Sequence, residues 1–120
     1  MAELVKGDVV VVPFPFSDLT QAKRRPALVI ATLAGDDLIL CQITSQRIAD
    51  RYAITPDSSD FSEGRLNQIS NIRPNRLFTA EREIILYKAG KLKTEKLNER
   101  SLRLLKFFSS NYIFSSVPSA

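Results

Sequence analysis

Chemistry in this chain has few places to come from. It contains no histidine, so any hydrolysis must proceed without the commonest general base and without an imidazole triad. Its one cysteine, Cys41, sits inside an apolar run and reads as a small core residue. With no second cysteine and no histidine, an internal disulfide and a Cys/His zinc site are both excluded. What remains is a series of cations and hydrogen-bonding side chains. Lys23, Arg24 and Arg25 directly precede Pro26-Ala27-Leu28-Val29-Ile30; Gln42, Thr44, Ser45 and Gln46 follow in the next apolar run; Arg73 and Arg76 flank Pro74. A guanidinium is a permanent cation with a fork of donors that suits anionic oxygens. By residue type alone, an arginine at a strand entrance is more often a solvated surface group than a site, so the elements that position Arg25 matter.

The run Gly7 to Phe14 is Val-rich and too short for a helix, and reads as a strand. Pro13 to Lys23 reads as a long loop, because prolines at 13 and 15 are unsuited to a central ladder. Pro26 to Leu33 and Leu38 to Gln46 are apolar runs joined by Ala34-Gly35-Asp36-Asp37, a turn signal that makes them an antiparallel hairpin. Arg51 to Pro56, Leu66 to Pro74 and Arg82 to Gly90 are shorter strand candidates between polar stretches. From Thr94 the period changes. Leu97, Leu104, Leu105 and Phe108 recur at helical spacing, opposite Glu95, Lys96, Glu99, Arg100, Arg103 and Lys106, which predicts one amphipathic helix packed on the sheet. The expected architecture is mainly β with one helix, a small barrel or sandwich in a single domain over residues 1–110, with 111–120 as a tail.

With the hairpin turn centred between Gly35 and Asp36, Ala27 falls opposite Thr44 and Arg25 opposite Gln46. Alternation then puts Arg25, Ala27 and Val29 on one face with Gln42, Thr44 and Gln46, and Ile39, Cys41 and Ile43 on the other, expected to be the core. Arg25 and Thr44 become diagonal neighbours, about 7–8 Å apart at the backbone and within an arginine's reach. A cation, a hydroxyl and an amide meet at the open end of the hairpin.

Composition sets the frame. The chain is 120 residues long, 44% hydrophobic and 25% charged, an ordinary globular composition; 17 Lys and Arg against 13 Asp and Glu give a net charge of +4 and favour an anionic partner. Pro13 and Pro15 interrupt the only early apolar run, so neither a signal peptide nor a membrane span is expected, and the expected location is cytoplasmic.

The order of Lys6 to Ile30, then Cys41 to Gln46, then Ser70 to Ile85, then Lys88 to Leu105 resembles the MazF/PemK family of toxins from bacterial toxin–antitoxin pairs. The most specific piece is Gly7-Asp8, a strand, a long loop, and Arg25-Pro26-Ala27-Leu28-Val29. The resemblance implies an SH3-like β-barrel (CcdB/PemK-like) with a C-terminal helix, a homodimer, no cofactor and no metal. The implied activity is sequence-specific cleavage of single-stranded RNA, silenced by a cognate antitoxin. It implies Arg25 and Thr44 as catalytic residues, and Phe16, Lys23, Arg24, Ser45, Gln46, Arg73 and Asn75 as RNA-binding residues. Phe14 and Phe16 are the aromatics available for stacking. Two departures stand out: Asn75 occupies a position where some members carry an aspartate, and the histidine that others use is missing. Either proton transfer is then left to solvent and nearby arginines, or a carboxylate such as Asp18 substitutes, or activity is weak. The same barrel family includes a relative that poisons DNA gyrase by protein contact, so a non-catalytic binder, or a decayed toxin retaining only antitoxin binding, is the alternative.

Overall fold

The computed structural model describes residues 3–14, 23–45, 53–66 and 68–93, with the backbone alone at Asn75. The predicted helix from Thr94, the tail, Phe16, Asp18 and Gln46 lie outside the described residues. In chain order the strands are β1 (Asp8–Phe14), β2 (Lys23–Thr32), β3 (Asp37–Thr44), β4 (Phe61–Gly64), β5 (Asn71–Glu81) and β6 (Tyr87–Leu92), with short 3-10 turns at Ser58–Asp60 and Arg82–Ile84. They form one antiparallel sheet in the order β4-β6-β1-β2-β3-β5.

The sheet curls because one segment ties its two edges together. Ile54 and Ile72 of β5 exchange both backbone hydrogen bonds, at 2.9 and 2.7 Å, and the same segment then runs through Ser58–Asp60 into β4 at the far edge. The result is a half-barrel. Its inner face buries Val9, Leu28, Cys41, Ile43, Ile54, Ile72 and Leu92. Its outer face is buried as well: Val10, Val12, Ala27, Val29, Leu38 and Leu40 pack with Leu4, Ala80 and Ile85. The expectation of a single core face is corrected here, because the N-terminal segment and the corner before β6 cover the second one. Burying Leu28, Leu40 and Ile43, each at most 1% exposed, contributes about 1.5–3 kcal/mol apiece.

The hairpin register also differs from expectation. Ala27 lies opposite Gln42, not Thr44. Two steps of one residue add up: the turn closes symmetrically about Gly35, with Leu33 N donating to Asp37 O at 2.9 Å, and Ile30 is an extra residue in β2 between the Val29 and Ala31 pairs. Beyond the bulge the total shift is two, so Ala27 and Val29 keep their expected face relative to Gln42 and Thr44. Continued past the last pair, this register brings Arg25 level with Thr44 rather than Gln46.

The proline of Arg25-Pro26 explains why the β2–β3 ladder stops there. Val29 O accepts from Gly7 N, so odd-numbered β2 residues near it point their backbone groups toward β1 and even-numbered ones toward β3. Pro26 would therefore be the next donor to β3, opposite Ile43, and it has no N–H. The last β2–β3 pair is Ala27 with Gln42, and beyond it Ile43 and Thr44 pair only with Ile72 and Asn71 of β5. Two strands that touch along the hairpin part at its open end.

Other boundaries moved for identifiable reasons. Pro13 and Phe14 belong to β1, and Lys23 to β2, rather than to the loop. Val11 O accepts from Leu86 N, so Pro13 also faces the β6 side, where pairing has ended at Val11, and its missing N–H costs no ladder bond. Among the described residues of Arg51 to Pro56 only Ile54 pairs, and among those of Leu66 to Pro74 only the part from Asn71. Residues 82–84 of the Arg82 to Gly90 run form a 3-10 turn before β6. β5 carries a large bulge: from Leu77 to Ile72 it spends five residues where β3 spends two, Cys41 to Ile43. The Cys41 thiol donates to Arg73 O at 2.9 Å across that bulge.

Candidate functional site

The open end of the half-barrel is a hollow of about 300 Å³. Strand alternation supplies its floor from inward-facing residues at the end of the inner core: Ile43 of that core, with Val11, Pro26, Leu66 and Ala89. Around the floor stand Arg24, Arg25 and Arg65, with Ser45, Gln68, Ser70 and Tyr87. Among the described residues, none of those lining it carries a carboxylate. Three guanidiniums with no carboxylate among the described lining residues favour an anion, and their fork geometry suits phosphate oxygens.

Arg25 is half-buried at the rim, its place in β2 opposite Val12. Thr44 is buried and is not among the residues lining the hollow. It stands one position around the rim, opposite Asn71, whose Oδ1 accepts the Thr55 hydroxyl at 2.5 Å. Thr44, Asn71 and Thr55 therefore form a polar row across neighbouring segments, and the β2–β3 register, extended past its last pair, brings Arg25, which lines the hollow with Arg24, Ser45 and Ser70, level with it.

Of the residues expected to bind a ligand, Arg24, Arg25 and Ser45 come together here. Lys23 is exposed at the start of β2 and Arg73 is half-buried in the β5 bulge; neither lines the hollow. Phe14 is packed against Phe78, ring centroids 5.9 Å apart, which places it on the outer core rather than free for stacking. Arg65, Gln68, Ser70 and Tyr87 were not anticipated. The delivery of Arg65 depends on two glycines. Gly64 has φ 63°, and a Cβ on it would lie 2.1 Å from Ala89 O; one on Gly90 would lie 2.7 Å from Glu63 O. Only glycine lets β4 end this close to β6, and the next residue is Arg65.

Gly7-Asp8, the other conspicuous motif, belongs to the fold. Gly7 takes φ 98° in the turn entering β1, and the fully buried Asp8 accepts from Val5 N at 2.9 Å through Oδ2. Its Oδ1 has no hydrogen-bond donor and faces the Lys88 ammonium at 3.3 Å; Lys88 also reaches Glu63 at 3.2 Å. The hydrogen bond to Glu63, followed by attraction to Asp8, holds the Lys88 ammonium above its usual range, so this cation serves the strands rather than the hollow. Burial pushes the Cys41 thiol up to about 12, against a smaller opposing effect of its bond to Arg73, and makes it unreactive.

A small antiparallel half-barrel whose mouth carries three arginines and no carboxylate among its described lining residues defines a class of compact β proteins. Comparison with known families sharpens this: residues 5–108 match the model of the PemK-like, MazF-like toxin of type II toxin–antitoxin systems. The chain belongs to that family. A search of curated proteins finds no match. Among solved structures, an endoribonuclease in complex with its cognate antitoxin from a mycobacterial species superimposes with a TM-score of 0.69 at 12% identity, covering 89% of this chain and 96% of that one. MazF from Deinococcus radiodurans gives 0.68 at 18% identity, covering 91% and 99%. The Mycobacterium tuberculosis toxin MazF-mt6 gives 0.65 at 14% identity, covering 85% and 96%. At these identities the structural likeness shows the fold.

Proposed function

We propose that this toxin is an endoribonuclease that cuts single-stranded RNA at short specific sequences without a metal ion, acts as a homodimer in the cytoplasm, and is neutralised by a cognate antitoxin. The observation that carries the reading is the set of three arginines, without a described carboxylate among them, at the mouth beside the Arg25–Thr44 row. Membership in the toxin family and likeness to solved endoribonucleases support the catalytic reading over a non-catalytic binder. Among the described residues no helix is long and apolar enough to cross a membrane.

In this reading the ribose 2′-OH attacks the adjacent phosphorus in line. The new 2′-O–P bond forms as the P–O5′ bond breaks, leaving a 2′,3′-cyclic phosphate and a 5′-hydroxyl; the proton lost from the 2′ oxygen is balanced by one delivered to the 5′ oxygen. The protein's part is to splay the strand and stabilise the charge that builds on the phosphorane. Arg25 supplies a fixed positive charge and paired donors, and Thr44 a hydroxyl at the same level. An arginine is a poor proton donor and Asn75 an amide, so proton exchange falls to solvent or to a carboxylate brought from elsewhere in the chain, such as Asp18. Arg24 and Ser45 hold the strand, with Arg73, Lys23, Phe16, Gln46 and Asn75 as outer contacts.

The test is to incubate the purified protein, with EDTA present, with a long single-stranded RNA and map the new ends. Arg25→Ala is expected to slow cleavage about 10²–10³-fold, the loss typical of one donor to a developing oxyanion, while the melting temperature is unchanged. A folded Arg25→Ala protein with full activity would remove Arg25 from the mechanism.

A further inference from the structure

We infer that the barrel mouth is a nucleobase pocket selective for bases with a carbonyl-rich edge, guanine or uracil, in which Arg65 reads that edge and Tyr87 stacks on the ring. The inference rests on the ribonuclease reading above and goes beyond it in naming a base class and two residues.

Size comes first. At about 300 Å³ the hollow lies at the small end of ligand pockets, enough for one base and not for a run of them. Its floor is apolar, from Val11, Pro26 and Leu66, and accepts a ring face but not a phosphate. Tyr87 stands at the edge of that floor, 48% exposed, an aromatic platform of the kind on which unpaired bases stack. Arg24 and Arg25 occupy the β2 side of the rim, where the backbone would pass. Arg65 enters separately, from the end of β4, carried by the close glycine contact with β6.

The hydrogen-bonding inventory then selects the base. Arg65 is a pure donor. The Ser70 hydroxyl spends its proton on Gln68 O at 3.0 Å. No carboxylate among the described residues lines the hollow; the acceptors there are the neutral oxygens of Ser45, Gln68 and Ser70, so the strongest polar group offered to a base is the donor fork of Arg65. Guanine O6 and N7, or the uracil carbonyls, match an arginine fork directly.

The test measures binding and cutting separately. Fluorescent 2′-O-methyl octamers cannot undergo 2′-OH attack, so U8, A8, C8 and C8 with one central guanine report affinity alone. U8 and the guanine-bearing octamer are expected to bind about tenfold tighter than A8 and C8. Arg65→Gln abolishes that preference; Arg65→Lys keeps overall affinity but loses it, because an ammonium lacks the fork; Tyr87→Ala weakens all four about tenfold. Arg65 is exposed, so its variants are expected to fold. Equal binding of the four octamers by the wild type, or equal weakening of all four by Arg65→Gln, as for a phosphate contact, overturns the inference. Unmodified RNA run in parallel separates the two readings. Cutting without base preference leaves the ribonuclease and removes the pocket; selective binding without cutting does the reverse; neither binding nor cutting removes both.

Discussion

Replacing Pro26 by valine tests whether the parting of β2 and β3 is what makes room for the site. Valine has nearly the same bulk, favours strands, and restores the one N–H whose absence ends the ladder at Ala27 and Gln42. A new backbone bond to Ile43 would contribute about 0.5–1.5 kcal/mol net. Losing proline's restriction of the unfolded chain would cost about 0.4–1 kcal/mol. The two nearly cancel, so stability should move by less than about 1 kcal/mol. Function should not be spared. Zipping the hairpin one pair further pulls Arg25 toward Thr44 and narrows the mouth, since Pro26 and Ile43 are both part of its floor. Misplacement by about 1 Å is enough to cost about 100-fold in rate. Urea unfolding gives the stability, amide hydrogen exchange reports on the new N–H, and RNA cleavage gives the rate. If the new valine amide of Pro26→Val exchanges as freely as an unfolded one, in a protein that cuts at the wild-type rate, the account of Pro26 as the residue that opens the hairpin is refuted.

Three further outcomes are expected. The Cys41 thiol, at about 12 when folded against 9.0 as its ordinary value, holds its proton longer in the folded chain, so its contribution to stability is intact below pH 9. That contribution falls by about 1.4 kcal/mol per pH unit as pH rises from 9 toward 12; stability curves of wild type and Cys41→Ala should converge over that window, and parallel curves would show the thiol is not buried as described. Lys88→Met leaves the buried Asp8 carboxylate without its ion pair and should cost about 2–3 kcal/mol, discounted from a fully buried pair because Lys88 is partly exposed; chemical denaturation measures it. Arg24→Ala should weaken RNA binding for all sequences alike and reduce the slope of log affinity against log salt by about 1, as for a lost phosphate contact, which a salt titration reads directly.

The hairpin shows what a single sequence can and cannot reveal. The alternation of Gln42 and Thr44 with Cys41 and Ile43 assigned faces correctly, although the turn centre was off by one and the extra residue Ile30 was invisible. A bulge leaves no mark on hydrophobic pattern, because it changes pairing rather than composition. The wet face inferred from those polar residues was half right for a related reason: Leu4 and Ile85 cover it from segments distant in sequence. Arg25, Arg24 and Ser45 were legible because they flank one local hairpin. Arg65, Gln68, Ser70 and Tyr87 were not, since barrel curvature and the close β4–β6 contact bring them to the mouth from separate segments, and Phe61–Gly64 has too few apolar residues to announce a strand.

The β5 bulge has a bearing on how this scaffold can change. Between Ile72 and Leu77 the strand is uncoupled from β3, while each flank is pinned by its own register and the Cys41 thiol clips the middle through Arg73 O. A residue gained or lost in an ordinary central strand would invert every side chain beyond it. Here the slack can absorb it, with Pro74 the one buried side chain among the described residues between Ile72 and Leu77. Arg73 and Asn75 therefore sit on a stretch whose length and chemistry can drift independently of the fold, a place where a lineage can try new surface contacts without first re-solving the packing problem.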